Sequence, residues 1–288
     1  MRTGDFELFA DLVKKASGIH LTEDKAYLLE SRLMSVARKH NLDSLDTLAD
    51  TVRKQRNGPM ADDIVEAMTT NESSFFRDQR PFEQFRNFVL PRLLQSRRDR
   101  KLIRIWSAAC SSGQEPYSLA MILHEEQAKL AGWKVEILAT DISKEMVDKA
   151  KQGTYSQFEV QRGLPIQLLV KFFNQEGDRW TVKDELRRGI TFKTFNLMED
   201  ASSLGVFDVI FCRNVLIYFD SETKEAVLEN ISRRLPDDGL LFLGGAETII
   251  GVTDRFKNLP DQRGVFQVLC NGPPGSTVLL KQHAALTA

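Results

Sequence analysis

The chain has 288 residues, of which 42% are hydrophobic and 27% charged, the proportions of a soluble globular protein with one or two domains. Its formal net charge of −1 gives it no overall electrostatic attraction for nucleic acid or an anionic membrane. It has no signal-peptide core and no apolar run near the ~20 residues that span a bilayer, so we expect no membrane insertion. Its three cysteines and four histidines follow no metal-ligand spacing, so we expect no metal site. The odd number of widely spaced cysteines fits a cytoplasmic protein.

Residues 1–75 are predicted to form an all-α domain. Phe6, Phe9 and Leu12 recur at helical spacing, and three further helical patterns follow before Met68. No segment of this region has the alternating pattern of a strand.

Residues 76–101 are predicted to form a basic linker helix. The stretch from Arg77 to Arg104 contains nine Arg or Lys residues against three Asp or Glu, and its apolar residues follow a helical period. Pro91 is expected to interrupt or restart this helix. The basic side chains form either a solvated face or a dedicated binding surface.

Strand and helix patterns alternate from Leu102 onwards, which predicts an α/β fold with a doubly wound, Rossmann-like parallel sheet over residues 102–270. The alternation stops between residues 155 and 195, so this part is predicted to be a small β-subdomain inserted into the sheet domain. Residues 271–288 contain Gly-Pro-Pro-Gly and are predicted to be a disordered tail.

The segment SAACSSGQEPYS, residues 107–118, joins a predicted strand to a predicted helix, where this class of fold binds its ligand. It has neither the Gly-Lys-Ser/Thr ending of a P-loop nor the GxGxxG of a dinucleotide loop. Glu115 would repel a pyrophosphate and favour a positively charged ligand, while Asp141 at the next strand end suits a ribose diol. A ribose and a cationic group without phosphate describe S-adenosylmethionine, the cofactor of class I methyltransferases.

Each of these signals also has a purely structural interpretation. The small residues of the loop would serve close packing between helix and strand, and Asp141 would serve as a helix cap. Cys110 and Cys212 are interpreted as buried packing residues rather than nucleophiles. The prediction of a cofactor site depends on the agreement of three strand ends, which carry Glu115, Asp141 and the pair Arg213–Asn214.

Five motifs together resemble the chemotaxis receptor methyltransferase family, the CheR type, over about residues 5–270. They are TTNESSFFRD, WSAACSSGQEPYSLAM, ATDIS, FNL and FCRNVLIYF. The resemblance implies a helical N-terminal domain, a class I methyltransferase domain and an inserted β-subdomain. It also implies an enzyme that transfers a methyl group from S-adenosylmethionine to glutamate side chains on the cytoplasmic helices of chemoreceptors, with S-adenosylhomocysteine as the product.

The resemblance also implies a set of residues that contact the cofactor. Glu115 is expected to receive the methionyl ammonium and Asp141 the ribose hydroxyls, while Asn196 and Leu197 flank the adenine. The remaining expected contacts are Asn71, Ser73, Arg77, Arg213 and Asn214. The sequence departs from the family pattern in two places, since Ser73 stands where Thr is usual and LFLGGAET replaces the frequent Gly-His-Ser-Glu.

The substrate glutamate is ionised at neutral pH and is itself the nucleophile, so the reaction requires no general base. Catalysis then depends mainly on in-line positioning and on exclusion of water. We expect Arg77 and Tyr218 to act as the catalytic residues that orient the substrate carboxylate, with an interdomain salt bridge as the alternative role of Arg77. A nucleic-acid methyltransferase would require motifs that are absent, and a regulatory module without activity is the second alternative.

Two features concern the substrate and other partners. Basic residues outnumber acidic ones by six to four between Leu28 and Asn57, so Arg53 and Lys54 are predicted to bind the acidic receptor helices, with scattered solvated charge as the alternative. Some family members bind a receptor tail through a long, glycine-rich hairpin loop in the inserted subdomain. Here the stretch from Phe172 to Leu186 is short and contains one glycine, which predicts an enzyme independent of that tether. A regulatory protein partner is left open.

Overall fold

The computed structural model describes Arg2 and residues 4–269. The predicted disordered tail, residues 271–288, lies outside the described residues, as does Cys270.

Four helices form the N-terminal part of the chain, and they are α1 (Asp5–Ser17), α2 (Ala26–Lys39), α3 (Leu45–Lys54) and α4 (Pro59–Met68). A capping box of Ser44 and Thr47 begins α3, and Pro59 occupies the first position of α4, where its missing N–H costs nothing. Their apolar faces share one core that is separate from the cores of the sheet. The helical patterns of the sequence are thus formed.

Helices α5 (Arg80–Gln84) and α6 (Leu90–Ser96) are joined without a break by a π-helical turn, Phe85–Val89. Pro91 therefore does not interrupt the helix, because the wider turn before it accommodates a residue that cannot donate a backbone hydrogen bond. Phe82, Phe85 and Leu93 are buried in the same core as the sheet strands. This segment consequently packs as part of the sheet domain rather than as a solvated linker.

The basic side chains at the end of this segment are also not simply solvated. Arg97 pairs with Asp208 at 2.8 Å and also with Asp238, while Arg100 pairs with the same Asp208 carboxylate. These ion pairs attach the C-terminal end of the segment to the edge of the sheet that is opposite the carboxyl ends of its strands.

The other elements follow in chain order. They are β1 (Leu102–Ala108), α7 (Gln114–Glu125), β2 (Lys134–Asp141), α8 (Lys144–Gln152), β3 (Thr154–Ser156), α9 (Gln157–Gln161), α10 (Ile166–Phe172), β4 (Phe173–Glu176), β5 (Arg179–Val182), α11 (Asp184–Arg187), β6 (Ile190–Thr194), β7 (Val209–Cys212), α12 (Ser221–Ser232), β8 (Leu240–Leu243), β9 (Phe256–Asn258) and β10 (Val265–Val268).

Seven strands form the main sheet in the order β6-β2-β1-β7-β8-β10-β9. The five strands from β6 to β8 are parallel, whereas β10 and β9 are antiparallel. Neighbouring residues of β7 enter different cores, with Phe211 on one face of the sheet and Ile210 on the other. The predicted doubly wound α/β fold is confirmed, and its strand order reverses between β1 and β7, the position where such sheets bind ligands.

The inserted subdomain is smaller than predicted. Its three-stranded antiparallel sheet has the order β3-β5-β4, and helices α9 and α10 accompany it. Residues 190–194, which the sequence analysis placed in the insertion, instead form β6 at the edge of the main sheet, parallel to β2. The expected boundary at residue 195 is therefore wrong, because a short strand pattern does not reveal which sheet the strand joins.

Among the helices formed within residues 4–269, none has the length and apolar character that crossing a bilayer requires.

Candidate functional site

A pocket at the carboxyl edge of the parallel strands encloses about 910 Å³, including its mouth. The loops after β1, β2, β6 and β7 form its floor. The helical domain contributes Ser17 and Ile19, and the interdomain segment, residues 69–79, forms another wall. The predicted cofactor residues that line it are Asn71, Ser73, Arg77, Glu115, Asp141, Asn196, Leu197, Arg213 and Asn214, and Tyr218 lines it as well.

The loop after β1 is tightly wound. Ala109, Ser111 and Gly113 have φ values of 56°, 49° and 94°, all in the left-handed region. A side chain on Gly113 would also bring its Cβ within 2.9 Å of Ala150 Cβ, so only glycine fits there. This backbone brings small residues to the pocket and places Glu115 in the first turn of α7.

Glu115 is held by two donors. Ser107 Oγ donates to Oε1 at 2.8 Å, and Arg213 Nη1 donates to Oε2 at 2.9 Å. The side chain of Arg213 is 1% exposed and also donates to Asp78 at 2.7 Å and to the Arg77 carbonyl at 2.9 Å. Two carboxylates thus share one guanidinium, which leaves the cluster with a net negative charge in a pocket that suits a cationic ligand.

Asp141 is buried at the end of β2, and each of its oxygens accepts one backbone hydrogen bond. The N–H of Ser111 donates to Oδ2 at 2.7 Å, and the N–H of Ser143 donates to Oδ1 at 2.9 Å. Burial raises the pKa of the Asp141 carboxyl, because these hydrogen bonds compensate only in part and the nearby Glu66 adds a like charge. Each oxygen retains a lone pair for a hydroxyl donor.

The loop after β7 is fixed by a residue that the sequence analysis missed. The carboxylate of Glu247 accepts backbone hydrogen bonds from Gly244 at 2.6 Å, Asn214 at 2.8 Å and Val215 at 2.9 Å. These bonds hold Asn214 in the left-handed region at φ 59°. The sequence feature that could have revealed this residue is its position just after β8, at the same edge of the sheet as the other site residues.

The helical domain contacts the same loop directly. Ile19 forms an isolated antiparallel bridge with Phe219, and the His20 N–H donates to the Tyr218 carbonyl at 2.8 Å. Asn196 Nδ2 donates to the carbonyl of Ala16 at 2.6 Å, at the end of α1. The side chain of Asn196 therefore joins the two domains as well as lining the pocket.

The interdomain segment covers the pocket and carries three of the predicted residues. Ser111 Oγ donates to the Asn71 carbonyl at 2.9 Å, and Arg77 Nη1 donates to the Glu72 carbonyl at 2.9 Å. Arg77 has no carboxylate partner within salt-bridge distance among the described residues, and the alternative role of an interdomain salt bridge is not seen. Arg77 lines the pocket, and its guanidinium has further N–H donors besides the one bonded to Glu72.

The structure does not bring Arg53 and Lys54 to this pocket. Arg53 pairs with the buried Asp5 and, at 3.1 Å, with Asp50, so its charge is used to hold α3 against α1. Lys54 is exposed and next to it. That Arg53 and Lys54 bind the substrate therefore stays a prediction. The ion pair between Arg53 and Asp5 could not be recognised from the sequence.

The thiols of Cys110 and Cys212 are both buried, and burial raises their pKa well above the usual value. Neither thiol is therefore suited to act as a thiolate nucleophile. In the part of the chain that the structure describes, no group of three or more His, Cys, Asp or Glu side chains is placed to hold a metal ion.

The side chains that line the pocket fit S-adenosylmethionine. Glu115 offers a carboxylate whose charge is only partly neutralised, and Asp141 retains acceptors for two hydroxyl groups. Leu197 and Phe195 add apolar surface, and the loop after β1 allows close approach of a ligand to the backbone. The residues predicted from three strand ends thus surround one cavity of suitable size.

Comparison with known proteins agrees with this arrangement. Residues 71–265 match the family model "CheR methyltransferase, SAM binding domain", and residues 4–69 match "CheR methyltransferase, all-alpha domain". The chain is 41% identical over 271 residues to the chemotaxis protein methyltransferase Cher2 of Pseudomonas putida, covering 92% of this chain and 98% of that protein. It is 42% identical to the chemotaxis protein methyltransferase 1 of Pseudomonas aeruginosa, covering 91% and 96%.

Proposed function

The chain belongs to the CheR family of S-adenosylmethionine-dependent methyltransferases, and on that premise we propose that it methylates glutamate side chains on the cytoplasmic helices of chemoreceptors. The products are a glutamyl methyl ester and S-adenosylhomocysteine. Such a modification would change the charge of the receptor, and the similarity to chemotaxis protein methyltransferases supports a role in chemotaxis. The reaction would take place in the cytoplasm.

The observation that carries this proposal is the composition of the pocket. Neither His nor Lys is found among the described residues that line it. Its carboxylates Glu115 and Asp141 already accept hydrogen bonds from fixed donors, and the exposed Glu72 pairs with Arg162 at 2.7 Å. Such a site offers no evident general base for a neutral nucleophile such as an amine or a hydroxyl. It suits a substrate that arrives already ionised, as a glutamate does at neutral pH.

The cofactor would supply an electrophilic methyl group on a positively charged sulfur. Glu115 would bind its ammonium group and Asp141 its ribose hydroxyls, which fixes the methyl group relative to the loop after β7. Arg77 and Tyr218 line the same pocket and would orient the incoming carboxylate. Positioning of this kind contributes up to ~7–11 kcal/mol to catalysis, and a covered pocket assists by excluding water.

For receptor recognition we propose a contribution from the exposed Arg53 and Lys54 of the helical domain, of which Arg53 is already paired with Asp5 and Asp50. The Lys54→Glu variant should raise KM for the receptor. Arg53→Glu should mainly lower stability, because it removes one of the two arginines that pair with the buried Asp5 and puts a like charge beside it. Higher salt should weaken methylation, since exposed charges are screened beyond ~8 Å at physiological ionic strength. An unchanged KM for Lys54→Glu would remove this patch from the proposal.

We also propose that recognition does not require a receptor tail. The hairpin of β4 and β5 turns through Gly177 and Asp178 alone, with Gly177 at φ 61°. So short a turn provides no loop to enclose a peptide that adds to the subdomain's edge. The receptor helices would then be bound directly.

The test of the proposed function is transfer of a radiolabelled methyl group from S-adenosylmethionine to a receptor cytoplasmic fragment. The expected product loses its label in mild base, as a carboxyl methyl ester does. A receptor fragment with its acceptor glutamates replaced by alanine should take up no label. Base-stable label on the intact fragment would instead indicate methylation of another atom and would contradict the proposal.

A further inference from the structure

A second depression, which we call the side groove, adjoins the cofactor pocket at the carboxyl edge of the sheet. It encloses about 1270 Å³, including open solvent. Its walls include Asp78, Arg80, Gln84, Gly244, Glu247 and Arg263. Neither the proposed reaction nor the cofactor uses this space.

The side groove and the cofactor pocket share two walls. Asp78 lines the groove, and its carboxylate binds Arg213, which holds Glu115 inside the pocket. On the other side, Glu247 lines the groove and fixes the backbone of Asn214, which lines the pocket. The groove therefore lies next to the pocket, on the side of Asp78 and Glu247.

Two carboxylates, of Asp78 and Glu247, and two guanidinium groups, of Arg80 and Arg263, line the groove. The carboxylate of Asp78 is paired with Arg213, and that of Glu247 is occupied by backbone N–H groups. Arg80 and Arg263 are both exposed, and among the described residues neither has a carboxylate within salt-bridge distance. Asp78 and Glu247 keep their negative charge but are held by these partners, so Arg80 and Arg263 are the charged side chains of the groove that are left to pair with a ligand.

The two arginines are held in place by the backbone. Gln84, one turn after Arg80 in α5, donates from Nε2 to the Arg263 carbonyl at 3.3 Å and to Gln262 Oε1 at 3.1 Å. This contact fastens the turn between β9 and β10 to the last residue of α5. Arg80 and Arg263 therefore face the groove from two elements of fixed relative position.

We propose that the side groove is a subsite for the substrate helix, in which Arg80 and Arg263 bind an acidic side chain near the glutamate that is methylated. The proposal deepens the proposed function and depends on it. A fork of N–H donors suits a carboxylate, and the exposed Ile250 at the groove's edge provides apolar surface for the aliphatic part of a neighbouring side chain. The class of ligand is an acidic, helical polypeptide.

The test uses the full-length Arg80→Gln, Arg263→Gln double variant with a receptor cytoplasmic fragment. We expect KM for the receptor to rise about tenfold, as the loss of charge-assisted hydrogen bonds predicts, while kcat and the Kd for S-adenosylmethionine change less than about twofold. The matched control is Arg98→Gln, an exposed arginine that pairs with the adjacent Asp99 at the opposite edge of the sheet. The Arg80→Lys, Arg263→Lys variant should recover part of the loss.

A second arm identifies the ligand. When the acidic residues that flank the methylation site of the receptor are replaced by glutamine, wild type and double variant should have the same KM. An unchanged KM of the double variant on the native receptor would overturn the subsite. If the wild-type protein does not methylate the receptor at all, the proposed function itself fails, and the two failures are thereby distinguished.

Discussion

Arg213 donates from Nη1 to Glu115 Oε2 across 2.9 Å, and this buried contact links the end of β7 to the first turn of α7. Because the same guanidinium also binds Asp78, it connects the interdomain segment to both. Three parts of the chain that are distant in sequence are therefore oriented by one side chain. On the proposed assignment, Arg213 would act on the cofactor site mainly by positioning Glu115.

The first prediction concerns Glu115. The Glu115→Gln variant should bind S-adenosylmethionine about 1–3 kcal/mol more weakly, because a charge-assisted hydrogen bond to the ammonium group becomes a neutral one. Calorimetric titration measures the change. The exposed Glu225 on α12 provides a matched control, since Glu225→Gln should bind normally. Equal affinity of Glu115→Gln and wild type would show that the ammonium lies elsewhere.

The second prediction concerns pH. Burial raises the pKa of Asp141, and hydroxyl donors bind best to its ionised form. As pH falls through this raised pKa the carboxyl becomes protonated, so the affinity for S-adenosylmethionine should decrease at a higher pH than for an ordinary aspartate. The Asp141→Asn variant should bind weakly, by about 1–3 kcal/mol, and lack this component of the pH dependence. A wild-type profile identical to that of Asp141→Asn would exclude the role of Asp141.

The third prediction separates binding from turnover at Tyr218. The Tyr218→Phe variant should keep its affinity for S-adenosylmethionine and lose about tenfold or more in kcat, because the hydroxyl is assigned to the substrate carboxylate alone. Single-turnover methylation and calorimetry measure the two quantities. The exposed Tyr27 gives the control variant Tyr27→Phe. A normal rate for Tyr218→Phe would remove this hydroxyl from the mechanism.

The fourth prediction concerns Glu247, which the loop after β7 depends on. Replacement by alanine leaves several backbone N–H groups without their acceptor and should lower the free energy of unfolding by about 1–3 kcal/mol. The rate of methylation should fall as well, because Tyr218 follows in the same loop. The Glu247→Gln variant retains acceptor oxygen and should be intermediate in thermal unfolding and in rate. If alanine matched wild type in both, the loop would not depend on this carboxylate.

The fifth prediction concerns the inserted subdomain. Receptor tail peptides should not bind the full-length protein at micromolar concentrations, since the short turn at Gly177 offers no enclosing loop. Deleting the last five residues of a receptor should leave its methylation rate unchanged. Peptide binding measured by calorimetry, together with a slower rate for the shortened receptor, would show that the edge of the three-stranded sheet serves as a tether after all.

The sequence was sufficient to predict the parallel sheet and the strand ends at Glu115, Asp141 and Arg213, because buried strands and the loops that follow them are local patterns. Long-range pairing was not predictable. Whether residues 190–194 joined the insertion or β2 depended on packing, and the buried partner of Arg53 lies 48 residues away in the chain. The role of Glu247 was missed for the same reason, since its partners are backbone groups of a distant loop.

The seam between the two domains has a consequence for protein engineering. Gly18 turns the chain from α1 towards the Ile19–Phe219 bridge, and a Cβ at this position would lie 2.9 Å from both Met198 Sδ and Thr223 Cγ2. The helical domain therefore cannot be exchanged between relatives as an independent cassette. A chimera that transfers the first 68 residues would have to carry matching residues at 198 and 219–223, or the loop after β7 would lose its support.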